Sequence, residues 1–503
     1  MSKIRNFDAE FCGKVPLNQT NLIQPHGVLL VIKKDDLSIL QASENADSVF
    51  GQPADEIVKR KWNDFLSDAE STQFAHLFQG TVSGKLPFLF RVNNQLFLSL
   101  VEQQELFYLL EIEKTPHEEG ANTSFVTIYQ DVKKVMASID STTTTEETCK
   151  VVAKELKAVS GFDKVMVYCF DKGWNGDVVA EEREPEMESY LGLKFPASDI
   201  PKQARDMYKR SPYRLIPTTE YEGVRLYPIL NPLTNGFTDL TFCNLRSVAQ
   251  VHLEYLRNMK VCASMSTRIL KDGELWGLIS CHHREPKYLS YEMCSVFELL
   301  SDVITTKISA VQNRDSFQYK SHKQDLQTKV IGAVLTEGVL GKEKETVRQL
   351  LDADGVAIVS NQSVETAGAT PGLQELEDLV FWLQANNITG LYHQTSLPAV
   401  YEAAETYAGS GSGLLALPIE PEKGDFLLAF RGEAVQKIDW GGNPNEVLQF
   451  ESDGKKYHPR ASFGIWKQTV KATAQPWKKE TLEIAEGLRN FLVESRLNKK
   501  YFG

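Results

Sequence analysis

Pro196-Ala197-Ser198-Asp199-Ile200-Pro201 sets one carboxylate between two prolines. Each proline fixes its own φ and pushes the preceding residue toward extended backbone, so Asp199 and Ile200 have little freedom. A carboxylate and a main-chain carbonyl held this way can be aimed at a ligand that presents several N–H groups in one plane. The same residues also read as the entry to a helix over Lys202–Arg210, with Asp199 or Ser198 as its cap and Pro201 in its first turn. Both readings stand on this segment alone.

Other side chains could serve a common pocket. Arg246 precedes Ser247-Val248-Ala249-Gln250, which reads as a capping box opening a helix to Met259. The arginine would then lie near the positive end of that helix, where an anion is favoured. Arg214 is a second candidate cation, although either arginine alone is ordinarily a solvated surface charge. His252, Tyr255 and Met259 share one helix face by their spacing. Such a stripe is core by default and becomes a wall only if a ligand is present. Ser264 and Ser266 alternate with Met265 on a strand, so their hydroxyls point the same way. A two-residue Asp272-Gly273 turn would pair Ala263 with His282 and turn the histidine away from the serines. A longer loop or a bulge would bring His282 opposite Ser264, and the sequence leaves both open. Cys281-His282-His283 could be read as a metal site, but no further ligands stand at suitable spacing, so no metal is expected.

Composition narrows the class. The chain has 503 residues, 42% hydrophobic and 24% charged, as expected of a multidomain globular protein. A formal net charge of −12 and the lack of a Lys/Arg-rich run argue against nucleic acid. Seven cysteines without C-x-x-C spacing fit a reducing compartment. With no signal peptide and no membrane-length apolar run, the expected location is the cytoplasm.

The elements that must position these residues fall into three expected units. Residues 1–117 carry strand-like stretches at Gly27–Lys33, Phe88–Val92, Gln95–Gln103 and Phe107–Ile112. Residues 118–311 open with helices over Phe125–Ser138 and Glu146–Ser160, followed by strands at Lys164–Asp171, Cys262–Leu270 and Glu274–Cys281. A stretch from Ser290 to about Val330 has almost no Gly or Pro, and Leu300, Ile304, Ile308 and Val311 recur at helical spacing. It predicts one long helix leading into a third unit, 312–480. That unit contains an excursion over about 425–477, and an amphipathic helix follows from Lys479, in the stretch 481–503.

The signature segment resembles that of the phytochromes, the bilin-binding red-light receptors, and other landmarks of that family recur in order. They are Phe11-Cys12-Gly13, Ile23-Gln24-Pro25-His26-Gly27, His252–Met259, Leu275-Trp276-Gly277-Leu278-Ile279 with Cys281-His282-His283, Trp440-Gly441-Gly442 and Pro459-Arg460-Ala461-Ser462-Phe463. The solitary Cys12 lies ahead of the first unit, and Val251 stands beside His252, which resembles the biliverdin-binding bacteriophytochromes.

The resemblance implies an α+β fold of PAS, GAF and PHY domains, each an antiparallel sheet with helices. It also implies a tongue hairpin from the PHY domain and a figure-of-eight knot between PAS and GAF. Biliverdin IXalpha would be joined to Cys12 by a thioether, with its pyrrole N–H groups held by the Asp199 carbonyl and a neighbouring water, and Ile200 and Pro201 also lining its site. Arg214, Arg246, Ser264 and Ser266 would serve the propionate side, His252 would form one wall of the pocket with Tyr255 and Met259, and His282 would bind ring D or its neighbouring propionate. Tyr168, Tyr190, Phe195, Tyr255 and Tyr208 would surround ring D. Arg460 and Ser462 would exchange as partners of Asp199, while Trp440 and Phe463 exchange packing.

The same resemblance implies a red/far-red receptor, a homodimer through its long helices, whose output module lies outside this chain. That module would be a histidine kinase, with a response regulator downstream, or another signalling enzyme. Asn443 and Ala249 depart from the family pattern and put the relative stability of the two states in doubt. A non-photochemical GAF-type receptor for another small ligand is the alternative. A hydrolase using Asp199, His252 or His282 lacks a nucleophile elbow.

Overall fold

Val28, Leu30 and Ile32 point to one side of β2 (Gly27–Lys33), Leu29 and Val31 to the other, and both sides are buried. This strand is central to a 7-stranded sheet with β1 (Leu22–Ile23), β3 (Ile39–Ser43), β4 (Leu86–Val92), β5 (Gln95–Gln103), β6 (Phe107–Glu113) and, from far along the chain, β11 (Val224–Tyr227). The computed structural model describes residues 17–78, 84–114, 125–337, 340–361, 363–444, 448–450, 457–459 and 462–502. Its contacts divide the chain into two units, Met1–Ser309 with Trp440–Trp466, and Ala310–Asp439 with Lys467–Gly503.

In the first unit the boundary expected near residue 117 is crossed by the chain itself. Leu22–Ile23 pairs with Val224 and Arg225 on one edge. On its other edge Ser247 N–H donates to the Leu22 carbonyl at 2.9 Å, and Gln24 N–H donates to Leu245 at 2.6 Å. Gly27 permits this close passage, because a Cβ there would lie 2.5 Å from the Leu245 side chain. The second sheet of this unit contains β7 (Lys164–Phe170), β8 (Gly176–Arg183), β9 (Lys194–Phe195), β10 (Tyr213–Ile216), β12 (Ala263–Lys271) and β13 (Glu274–His283), in the order β10-β12-β13-β7-β8-β9. Helices Phe125–Asp140 and Thr145–Ser160 and the start of the long helix cover one of its faces. Thr144 caps the second of these helices by accepting from Glu147 N–H.

The long helix runs farther than its pattern predicts, from Tyr291 to Glu337 over 47 residues, with Leu300, Ile304 and Ile308 fully buried in the first unit. In the second unit a 5-stranded sheet has the order β15 (Ser363–Gly368), β14 (Gly355–Ser360), β18 (Asp425–Arg431), β17 (Gly413–Glu420), β16 (Tyr392–Gln394). Alternate residues of β14, β17 and β18 face opposite sides. Val356, Leu415 and Leu427 join Leu488 and Leu492 of helix Lys479–Phe502, while Ala357, Leu414 and Phe426 join Leu379 and Leu383 of helix Leu373–Ala385.

The excursion expected from residue 425 therefore begins later. Asp425–Arg431 is a buried interior strand of this sheet, and the chain leaves it only after Arg431. Beyond it come β19 (Gln436–Gly441), the short antiparallel pair β20 (Leu448–Phe450) and β21 (Tyr457–Pro459), and β22 (Ile465–Val470). Among the described residues no helix is long and apolar enough to cross a membrane.

Candidate functional site

The two faces of the second sheet differ in chemistry. Val165, Val167, Tyr213, Leu215, Met265, Ile279 and Cys281 face the helices and form an apolar core. The residues between them face the other way, and register lines them up across strands: Arg214 with Ser266, Ser264 with His282, Ser266 with Ser280, and Lys164 with His282. A face carrying two cations, three hydroxyls and an imidazole beside Met166 and Tyr168 is neither a plain core nor a plain surface.

A bulge decides the position of His282. Pairing runs Lys271 with Glu274 and Leu270 with Leu275, then shifts so that Ile269 meets Gly277, with Trp276 as the extra residue. The shift brings His282 opposite Ser264. The histidine is buried, its Nε2 lies 3.1 Å from Ser280 Oγ, and its Nδ1 has no partner among the described residues. Burial, reinforced by Lys164 and His252, lowers its pKa to about 3. The neighbouring side chains diverge, since Cys281 lies in the apolar core and His283 pairs with Asp163 at 3.1 Å. Those three residues therefore do not converge on one point.

Arg214 and Arg246 come together, although not by the expected capping box. Helix Gln250–Asn258 has Ala249 at its N-cap and no side-chain cap. Ser247 cannot cap it, because its hydroxyl lies 3.2 Å from Tyr221 Oη and its N–H is committed to Leu22. Instead Arg246 Nη1 donates to the carbonyls of Leu240 and Thr241, each at 3.2 Å. Arg214 donates to Asn244 at 2.9 Å and also to the Arg246 carbonyl. Burial and then the neighbouring Arg214 charge lower the pKa of Arg246 to about 9, and burial lowers that of Arg214. Among the described residues neither arginine forms an ion pair with a carboxylate. Tyr208, on helix Lys202–Arg210, hydrogen-bonds Ser266 and lies within the field of both arginines.

The signature segment forms a single 3₁₀ turn, Ala197–Asp199, with Pro196 before it. The following helix has Pro201 at its N-cap and no side-chain cap, so neither Asp199 nor Ser198 caps it. Asp199 Oδ2 instead accepts from Tyr255 Oη at 2.8 Å, and Ser198 Oγ is buried without a partner among the described residues. Arg205, which sequence reasoning did not single out, fixes the turn. It is buried, and its Nη1 donates to the carbonyls of Ala197 at 3.2 Å and Ile200 at 2.6 Å.

The expected aromatic wall is assembled. Tyr190, Phe195 and Met166 are buried together with Phe463, and Tyr168, Tyr255 and Met259 pack against them. Tyr255 meets Phe463 edge-on at 5.1 Å and His252 in a stack at 6.0 Å. His252 keeps accessible surface, yet its surroundings and Arg214 lower its pKa to about 4, the combination expected of a ring facing an interior recess. Two glycines make room for the rings. A Cβ on Gly176 would lie 1.6 Å from the Tyr168 ring, and one on Gly441 2.7 Å from that of Phe195. Trp440 is buried and pairs in parallel with Lys194, whereas Ser462 is exposed. Cys12 and Arg460 lie outside the described residues.

Comparison with known proteins gives three family matches: a PAS fold over residues 12–115, a GAF domain over 144–308 and the phytochrome region over 319–501. The chain is 35% identical over 98% of its length to a cyanobacterial phytochrome B from Nostoc, covering 67% of that protein. It is 32% identical over 98% of its length to a bacteriophytochrome from Xanthomonas campestris, covering 80% of it. A crystal structure of a bacteriophytochrome from the photosynthetic bacterium R. palustris matches with a TM-score of 0.85 at 30% identity, covering 97% of this chain and 99% of that one. The photosensory core module of a Stigmatella aurantiaca phytochrome matches with a TM-score of 0.84 at 31% identity, covering 97% and 98%.

Proposed function

That this chain belongs to the phytochrome family is the premise from which we propose that it is a red/far-red photosensory core holding biliverdin. The carrying observation is the pair of adjacent guanidiniums, Arg214 and Arg246, with no carboxylate partner among the described residues. Two like charges in a partly desolvated place call for an anionic ligand. Beside them the sheet offers Ser264 and Ser266, helix Lys202–Arg210 offers the Tyr208 hydroxyl, and farther along lies an aromatic group. This graded set fits a ligand with two carboxylate arms and a flat conjugated body. The buried His282 Nδ1 and Ser198 Oγ, both lacking partners among the described residues, are further points for a polar ligand.

Bound biliverdin would supply red absorption and a double bond that light isomerises. The chain's residues then divide the remaining work. Arg214, Arg246, Ser264 and Ser266 hold the propionate side, His252 stacked on Tyr255 forms part of one wall, and the Asp199 carbonyl serves the pyrrole N–H groups beside Ile200 and Pro201. His282, neutral throughout the physiological range, binds the ring D side. Tyr168, Tyr190, Phe195 and Tyr255 exclude water around the rotating ring while limiting its end states. Cys12 supplies the covalent thioether. Arg460 would pair with Asp199 in one state and Ser462 would take its place in the other, as Trp440 and Phe463 repack and the tongue refolds. Residues Leu22 to Gln24, bonded on both edges, support the family's threaded crossing of PAS and GAF. Dimerisation through the long helices and control of a kinase or other output belong to the same proposal.

One contact, Ser280 Oγ to His282 Nε2 at 3.1 Å, has the form of a hydrolase pair. A histidine titrating near 3 is too weak a base to activate a serine at neutral pH, and Asp199 is bonded to Tyr255. The decisive experiment is an absorption spectrum with added biliverdin, before and after red and then far-red light. Reversible exchange of a red band for a far-red band supports the proposal. A bound pigment that ignores light keeps the ligand site and removes the switch. No uptake favours a receptor for another small ligand.

A further inference from the structure

Lys164 is 1% exposed and stands on the polar face of the second sheet, opposite His282 on one side and Arg183 on the other. A buried ammonium is costly, and an apolar side chain of similar length would fit a strand interior more cheaply. Its contacts show what the charge does. Nζ donates to the Glu188 carbonyl at 2.8 Å and lies 3.5 Å from the centre of the Tyr190 ring. Glu181, 3.8 Å from Nζ, accepts from Tyr190 N–H at 2.9 Å and from Ser189 Oγ at 2.6 Å. Arg183 completes the clamp, donating to the Met187 carbonyl at 2.7 Å. The loop before β9 is thus tied at consecutive residues, and the residue it delivers is Tyr190, packed at 5.7 Å on Phe195.

We infer that Lys164 is a positioning residue of the aromatic pocket, holding the Tyr190 ring by its face so that the wall around the isomerising ring stays rigid. This rests on the photoreceptor reading above and deepens it. The titratable and charged groups facing Lys164 are Glu181 and Arg183 on β8, His282 on β13, and Glu188 and Tyr190 on the loop.

The test compares the wild-type holoprotein with Lys164→Met, Lys164→Arg and Tyr190→Leu. Lys164→Met should load biliverdin normally, broaden the red band and change the dark-recovery rate at least threefold, and Lys164→Arg should restore wild-type behaviour. Tyr190→Leu should reproduce the change, and the double variant should add nothing to it. In the apoprotein, with ring-labelled tyrosine, the Tyr190 resonance should shift as pH passes about 8, where burial places Lys164, and the shift should vanish in Lys164→Met. Wild-type recovery kinetics in a loaded Lys164→Met protein overturn the inference, as does strict additivity in the double variant. If Lys164→Met fails to fold, the Tyr190→Leu kinetics and the apoprotein titration decide. A wild-type protein that binds pigment without photoconverting overturns the photoreceptor reading itself, an outcome separate from any difference between variants.

Discussion

Arg214 and Arg246 do two jobs with one functional group. Their N–H groups staple backbone carbonyls of the 240–246 segment, and their charges remain without an anionic partner among the described residues. A guanidinium can do both because its five donors form a planar fork, whereas an ammonium is a point charge. Arg246→Lys should therefore keep the positive charge and still weaken biliverdin uptake, by about tenfold for the loss of one charge-assisted bond. Titration of the apoprotein with biliverdin, followed by absorbance, measures this, and an unchanged affinity removes Arg246 from the site. The Tyr255 bond to Asp199 makes a second prediction at this scale. Tyr255→Phe keeps the ring against Phe463 and deletes only the donor. If that bond belongs to the resting arrangement, its loss should slow dark recovery about three- to tenfold, for about 1 kcal/mol, with loading unchanged. Recovery at the wild-type rate would show that Asp199 is held by other partners.

The second sheet and its hairpin show where element-scale reading succeeds and stops. Alternation along β12 puts Ser264 and Ser266 on one face, and Asp272-Gly273 marks the turn, so both were legible. The bulge at Trp276 was not, because a bulge is chosen by the packing of both strands and leaves no mark in local composition. Buried Arg205 and Lys164 were missed for a related reason. A cation satisfied by carbonyls or a ring has the same sequence signal as a solvated one. The capping box at Ser247 failed because a segment over 200 residues away uses its N–H, a non-local competition that spacing does not reveal. Gly176, by contrast, has a meaning only the folded sheet supplies. Gly176→Ala would drive a methyl into the Tyr168 ring, and overpacking of this kind costs about 1–3 kcal/mol. The expected result is a melting temperature lower by several degrees and a disturbed pigment band. Adding Tyr168→Leu should return much of the lost stability. If the double variant melts no higher than Gly176→Ala alone, the clash lies elsewhere.

At the scale of the whole first unit, the polar recess makes stability depend on pH in a direction set by competing groups. His26 titrates near 4 and His282 near 3, each lowered first by burial, while His252, an exposed side chain at the mouth of the recess, is lowered in the same direction. All three therefore favour the neutral form in the fold and gain protons more readily when it opens. Between their unfolded value of about 6.5 and these folded values the unfolded chain binds more protons, and stability is lost as pH falls. Glu102 acts in the opposite sense. Burial raises its pKa to about 7, so the folded unit holds a proton there that the unfolded chain releases. His252 keeps accessible surface, so its contribution is discounted for solvent screening. Two full histidines and part of a third, with a smaller share from the lowered His283, stand against the raised Glu102 and Glu298 carboxyls and leave a net imbalance of about one to two protons. At about 1.4 kcal/mol per proton per pH unit, the apoprotein should lose about 1.5–3 kcal/mol between pH 6 and pH 5. Thermal melts across that interval measure the loss. Glu102→Gln removes one opposing group and should steepen the decline. His282→Gln removes one driver, and once its own fixed cost at pH 7 is subtracted it should flatten it. A stability that rises as pH falls through this window would mean that the carboxyls outweigh the imidazoles, and that the recess is more open to water than three depressed histidines require.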